Sequence, residues 1–551
     1  MTRARWAAPL ILALHTALVI PGIFANSATF DENFHLPAGV IYLARGYTHV
    51  SIAQPPLARA LYALPVMAMR PVVPPDSLLR IGAERTLAES FVRLNASRYP
   101  RMVIVARFVG LALSLLLGWL IFGLASGICG EAAGLLALAA WAVFPDAVAQ
   151  AGLAGMDLPT ALSFLIVMIA FRALVRRPGI VTMLQLTLAF GVALLTRFSA
   201  LQLIPILAAL TVAARLGGKL QRPQFVFLSL VVAAVGGVLL LDLGYLGQVS
   251  FLPMGQRATI SRAFHDWALR LPWLRLPLPD AYVAGLDYLR DITESRKTVY
   301  LLGTSFDHSL VQYFPIALAF KWPLGLLALI LARLWFAFRA PARNGWDEAC
   351  LLVPAGAVLL IAMASDLDYG VRYLLPAVPF LCVWASGLMA RASARPGLRV
   401  PSPHWARMAV ALVAVEAAEC AFATPWQLAF FNVLAGGHGD RIVNDSNVDW
   451  GQGLIALRSE MKRRGIRRIH LAYHGTTDPA IYGIDYLPFT GGAAGKESDW
   501  LAASSYYFVG LPQRMITPEG DTPFLAIDFS TWSTLTPVAR PARCMYLFRL
   551  R

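Results

Sequence analysis

Continuous apolar runs recur along most of this 551-residue sequence, many of them near the length that a helix needs to cross a bilayer. About 30 Å of hydrocarbon takes roughly 20 residues of α-helix. Such runs appear near 7–24, 102–124, 131–147, 156–174, 180–195, 198–215, 225–245, 311–332, 349–364, 371–390 and 407–424. They predict an all-α polytopic membrane protein of about eleven transmembrane helices. Composition agrees: 58% of residues are hydrophobic, only 14% are charged, and mean hydropathy is +0.60. A soluble domain carries nearer a quarter charged residues.

The formal net charge of +15 does not point to nucleic acid, because the arginines fall in short segments between apolar runs, not in one basic stripe. With the N-terminus in the cytoplasm, Arg3, Arg5, Arg172, Arg176, Arg177, Arg215, Lys219, Arg222, Arg333, Arg339, Arg343, Arg391, Arg395, Arg399 and Arg407 fall on that side, as the positive-inside rule requires. The other side then receives loops 25–101 and 246–310 and everything beyond 425. The first run could alternatively be a cleaved signal peptide, which leaves the remaining topology unchanged. Cys129, Cys350, Cys382, Cys420 and Cys544 form no CxxC pair, so neither a zinc site nor a disulfide framework is expected.

After residue 424 the pattern changes. Helix-like LIALRSEMKRRG precedes strand-like IRRIHLAY, SSYYFVG, FLAIDF and CMYLFRL. The expected organisation is a transmembrane part, 1–424, followed by a small extracytoplasmic α/β domain, 425–551.

Ionisable residues gather at the external ends of the runs. Asp31 and Glu32 open FDENFH, with His35 one turn on. Asp157 begins another run, and Arg197, Lys321 and Arg372 fall on the same side. Carboxylates can take a proton from an acceptor, and cations can stabilise a departing phosphate. Structural alternatives stand beside each: helix-start acids for Asp31, Glu32 and Asp157, snorkelling for Lys321 and Arg197, and an ion pair of Arg372 with Asp366 or Asp368. Gln54-Pro55-Pro56-Leu57 introduces an amphipathic stretch able to lie along the interface. Asp445-Ser446-Asn447-Val448-Asp449-Trp450-Gly451-Gln452 reads as a turn capping a helix, with side chains that also suit a sugar.

FDENFHLPAGVIYLARG, QPPLARALYALP, AGMDLPTAL, LLTRFSALQLIP, YLLGTSF with YFPIALAFKWPLG, GVRYLLP, and NDSNVDWGQGL with AYHGTTDPAIYGI occur in that order. Together they resemble the GT-C integral-membrane glycosyltransferases, specifically the bacterial branch of the dolichyl-phosphate-mannose protein mannosyltransferases (glycosyltransferase family 39). The resemblance implies a polyprenyl-phosphate sugar donor, inverting hexosyl transfer, mannosyl among the options, and a bacterial inner (plasma) membrane. It implies Asp31 as base with Glu32 beside it, Asp157 in support, and Arg197, Lys321 and Arg372 near the donor phosphate. His35, Tyr313, Tyr373 and Trp450 are the expected acceptor or sugar contacts. No metal and no cofactor is expected. The acceptor is a protein, a glycan or a lipid, and the chain sits among membrane lipids. A transporter or flippase for a lipid-linked or anionic substrate is the alternative, but it calls for charges at mid-membrane rather than at span ends.

Overall fold

The computed structural model describes residues 2–79, 84–295, 298–339, 345–389, 403–492, 497–512, 515–517, 520–521, 526–529 and 535–550. Seven of its helices are long and apolar enough to cross a membrane, or nine spans if each of two bent pairs counts once. The chain is an integral membrane protein.

That count departs from the expected eleven for identifiable reasons. The run at 131–147 is broken into Glu131–Ala142 and Pro145–Ala151, bent by 67°. The run at 311–332 is broken into Tyr313–Lys321 and Leu324–Arg339, bent by 114°. Both breaks fall at a proline, Pro145 and Pro323, which disfavours helical backbone in the residue before it. Ile180–Thr196 is apolar but only 17 residues long. Pro403–Ala423 carries Arg407, Glu416 and Glu419 along its length. Of the cations assigned to the cytoplasmic side, Arg343, Arg391, Arg395 and Arg399 lie outside the described residues.

The first long loop, 25–101, carries three helices: Glu32–Arg45, Pro56–Met67 and Glu84–Leu94. The first two of these approach to backbone contact at Gly39, where a Cβ would stand 2.2 Å from the Arg59 carbonyl oxygen. Only glycine permits that approach, so Gly39 fixes where the helix bearing Arg59 runs. In the second long loop, 246–310, Arg262–Arg270 and Asp280–Glu294 precede a hairpin of β1, Val299–Leu301, and β2, Thr304–Phe306.

Beyond residue 424 a four-stranded mixed sheet is built from β3 (Arg468–Ala472), β4 (Asp485–Pro488), β5 (Trp500–Ser504) and β6 (Met545–Arg549). The order is β4-β3-β5-β6, with β3 parallel to both neighbours and β6 antiparallel to β5, Ala502 facing Leu547. Helix Leu454–Arg464 ends at Gly465, whose φ of +70° is the left-handed cap that glycine supplies. Its buried face, Leu454, Leu457 and Met461, packs on Ile469, Leu471 and Leu547. Two expected strands are corrected. SSYYFVG leaves β5 at Ser504 and turns into the short helix Ser505–Phe508, because the Ser504 hydroxyl accepts from the Tyr506 N–H and caps it. In FLAIDF, Phe524 and Leu525 lie outside the described residues, and 526–529 are not in a strand.

Gly39→Ala forces the two loop helices apart and is expected to cost about 1–3 kcal/mol, typical of overpacking. Thermal unfolding of the detergent-solubilised protein checks this, and an unchanged melting temperature would contradict the close packing.

Candidate functional site

Asp31 and Glu32 are adjacent in sequence, yet the helix start sends their side chains to different places. Glu32 is fully buried. Its Oε1 accepts from Arg107 Nε (2.8 Å) and the Ala154 N–H (2.8 Å). Its Oε2 accepts from Arg107 Nη2 (2.7 Å), the Thr29 N–H (2.8 Å) and the Thr29 hydroxyl (3.0 Å). Burial alone would raise this carboxyl, but Arg107 and the backbone donors outweigh it and hold it below the usual range. Arg107 spends its remaining donors on the carbonyls of Ile23, Asn26 and Ser27. Glu32 therefore has no free lone pair for an acceptor proton, and the expectation of a base at this position is corrected to an anchor for the first loop.

Asp31 faces the other way, with its side chain 27% exposed. Its Oδ2 accepts from Arg372 Nη1 at 2.9 Å. The same nitrogen reaches Asp157 Oδ2 at 3.3 Å, while Asp157 Oδ1 accepts from Arg197. Two acids and two arginines from four separate elements thus form one chain: Asp31, Arg372, Asp157, Arg197. Asp366 and Asp368, the alternative partners for Arg372, instead accept from the Ser309 hydroxyl (2.6 Å) and the Leu310 N–H (2.8 Å).

Aromatic rings hold the two guanidinium groups. Arg372 lies 4.1 Å from the Trp450 ring centre, and both arginines lie 5.1 Å from that of Tyr373. Trp450 is 3% exposed, so it supports Arg372 from beneath rather than offering a free face to a sugar. Tyr313 is also buried, and its hydroxyl accepts from Asn447 Nδ2 at 2.8 Å. Both were expected to contact acceptor or sugar, and their burial corrects that.

Lys321 is likewise corrected. It is 1% exposed, and its ammonium donates to the backbone carbonyls of Leu428 (2.9 Å) and Asn447 (2.7 Å), near the Phe431 ring. It ties the end of a broken helix to the segment beyond 424. It is not aimed at the acids.

The sequence reading missed Arg59. It is 3% exposed and donates from Nη1 to the Ser51 carbonyl (2.9 Å) and hydroxyl, while Ser51 in turn bonds Glu84. Its Nε and Nη2 are buried with no hydrogen-bond partner among the described residues, as are Arg372 Nε and His35 Nδ1. Burial first, then the positive charges of Arg59, Arg197 and Arg372, hold His35 well below its ordinary pKa. The signal for Arg59 was present in QPPLARALY, where a cation interrupts an amphipathic helix, but its direction depends on Gly39.

No family model matches the sequence, and no curated protein does. Solved structures do. The oligosaccharyltransferase of Archaeoglobus fulgidus in its apo form superposes with a TM-score of 0.50 at 12% identity, over 96% of this chain and 75% of that one. The chain has the GT-C fold. ArnT from Cupriavidus metallidurans, solved with undecaprenyl phosphate, gives a TM-score of 0.49 at 13% identity over 100% of this chain and 99% of that one. AglB from Archaeoglobus fulgidus, solved with an inhibitory peptide and a dolichol-phosphate, gives 0.46 at 12% identity, over 98% and 75%. Within this GT-C chain the four-residue acid and arginine chain lies where the first loop, the starts of three spanning segments and the segment beyond 424 meet.

Removing one partner of a buried ion pair strands the other, so Arg107→Met is expected to cost about 3–5 kcal/mol. Glu32→Leu with Arg107→Met should recover part of that loss in a denaturation assay. A second prediction concerns Asp449, whose carboxyl burial pushes up to about 7 despite hydrogen bonds from the Ser504 hydroxyl and the Gly451 N–H. The folded protein then keeps a proton that the unfolded chain releases near pH ~4, so stability falls as pH rises from about 4 to about 7. Melting temperatures at pH 5 and pH 8 should differ in wild type, and Asp449→Asn should shrink that difference.

Proposed function

We propose that this chain transfers a sugar from a polyprenyl-phosphate donor to a protein, glycan or lipid acceptor at the extracytoplasmic face of a bacterial inner membrane. In this reading the N-terminus is cytoplasmic, and residues 425–551 form an extracytoplasmic domain over a transmembrane part, 1–424. Hexosyl donors, mannosyl among them, are the class to test first.

One observation carries the proposal: buried guanidinium N–H groups on Arg59 and Arg372 have no partner among the described residues. A buried donor left unpaired costs about 1–3 kcal/mol, and more when it is charged. A phosphate diester offers the acceptor oxygens and the negative charge that these groups lack. The GT-C fold supports the same chemistry by analogy alone.

The acceptor nucleophile attacks the anomeric carbon of the donor sugar and inverts it. The bond from that carbon to the phosphate oxygen breaks, and polyprenyl phosphate leaves as an anion held by Arg59, Arg197 and Arg372. Asp31, which is partly exposed and has one oxygen without a hydrogen bond among the described residues, takes the acceptor proton. Asp157 keeps Arg197 and Arg372 in place.

The test is release of polyprenyl phosphate from a panel of polyprenyl-phosphate sugars by purified protein in lipid. Asp31→Asn should lower kcat by about 10²–10⁴-fold with the fold intact, the usual contribution of a positioned base. Arg59→Met should weaken donor binding. Activity unaffected by both substitutions would overturn these roles.

A further inference from the structure

The segment Asn444 to Gln452 closes over Arg372, and its polar groups are almost all engaged. The Ser446 hydroxyl donates to the Tyr369 carbonyl, and Asn447 Oδ1 accepts from the Val371 N–H at 3.0 Å. Asn447 Nδ2 donates to the Tyr313 hydroxyl, and the Asn447 carbonyl accepts from Lys321. At the other end, the carbonyls of Trp450 and Gln452 accept from the N–H groups of Phe30 (2.7 Å) and Ser27 (3.0 Å). The strap is therefore fixed both to the strand of chain bearing Arg372 and to the loop bearing Asp31.

Asp445 is the exception. Its φ is +60°, a left-handed backbone that a non-glycine residue adopts only under strain. Opposite, Gly370 at φ +136° leaves the room this requires, since a Cβ there would stand 2.7 Å from the Ser446 hydroxyl. Asp445 Oδ1 accepts from the Ser446 N–H, whereas Oδ2 accepts no hydrogen bond among the described residues. Burial pushes this carboxyl up to about 6, opposed by the Ser446 N–H and Arg372 and reinforced by Asp31. Its charge is thus felt by the same pair that opens the site, although it arrives from a segment more than 400 positions after Asp31 in the sequence. Strain of this kind persists where the surrounding structure holds it, and here the strap's hydrogen bonds do so.

A phosphate on Arg59 and Arg372 has two substituents. The polyprenyl tail must run toward hydrocarbon, so the sugar lies toward the segment beyond the last helix, where Asp445 sits. We infer that Asp445 reads the donor sugar, its free carboxylate oxygen accepting a hydrogen bond from a hydroxyl of the glycosyl group. This assignment rests on the transferase reading above. It gives the strap a recognition role distinct from that of Trp450, which only supports Arg372.

Two variants separate recognition from folding. Asp445→Asn keeps the shape and an oxygen for the Ser446 N–H. Asp445→Gly removes the carboxylate and relieves the left-handed backbone, which offsets the lost bond to the Ser446 N–H. For each protein, kcat/KM is measured with polyprenyl-phosphate hexoses and with their monodeoxy analogues, alongside inhibition by free polyprenyl phosphate. Wild type should prefer the parent sugar over one particular deoxy analogue, and both variants should lose about 10–100-fold of that preference, the worth of one charge-assisted hydrogen bond. Inhibition by free polyprenyl phosphate should not change. Retained discrimination against every deoxy analogue would overturn the assignment, and so would weakened inhibition, which would place Asp445 on the phosphate side. Wild type that transfers from no donor would sink the transferase reading itself, and the assignment with it.

Discussion

The buried pair of Arg107 and Glu32 is the interaction on which the rest of the site depends. Arg107 belongs to a spanning helix, Tyr99–Cys129, and Glu32 is the first residue of a loop helix, Glu32–Arg45. Their bond, together with the carbonyls of Ile23, Asn26 and Ser27, fixes the chain as it leaves the first helix. A paired charge at this depth is tolerable only when every lone pair and N–H is used, and here they are. The consequence reaches one residue back. With Glu32 held inward, Asp31 is obliged to face outward, where it meets Arg372.

The site is then an exercise in unequal charge satisfaction. Asp157 is closed on both oxygens by arginines, whereas Arg197 gives one donor to Asp157 and lies against the Tyr373 ring. Arg372 and Arg59 are not closed, since each keeps buried N–H groups without acceptors among the described residues. Structural ion pairs normally saturate, as Glu32 and Arg107 do a short distance away. Saturated and unsaturated pairs in one neighbourhood separate the residues that build the site from those that await a ligand.

Much of this was legible in sequence, and what was not has clear causes. Apolar runs gave the membrane class, and charged residues at run ends identified Asp31, Asp157, Arg197 and Arg372, which the structure brings together. Pattern could not separate Asp31 from Glu32, because adjacent acids at a helix start look alike until Arg107, 75 positions along, claims one of them. Lys321 and Trp450 were misread for a related reason: a cation or indole near a site looks the same in sequence whether it faces a ligand or a backbone carbonyl. Arg59 stayed hidden because its orientation is set by Gly39 on another helix. The turn around Asp445 was visible, but its pairing with Tyr369 and Val371 was not.

The most direct test of the central claim is a structure of the protein in lipid with a polyprenyl phosphate. The account predicts the phosphate within hydrogen-bond distance of Arg372 Nε and of the free Arg59 donors, with Glu32 and Arg107 unmoved. A phosphate bound elsewhere, with those donors still unpaired, would contradict it.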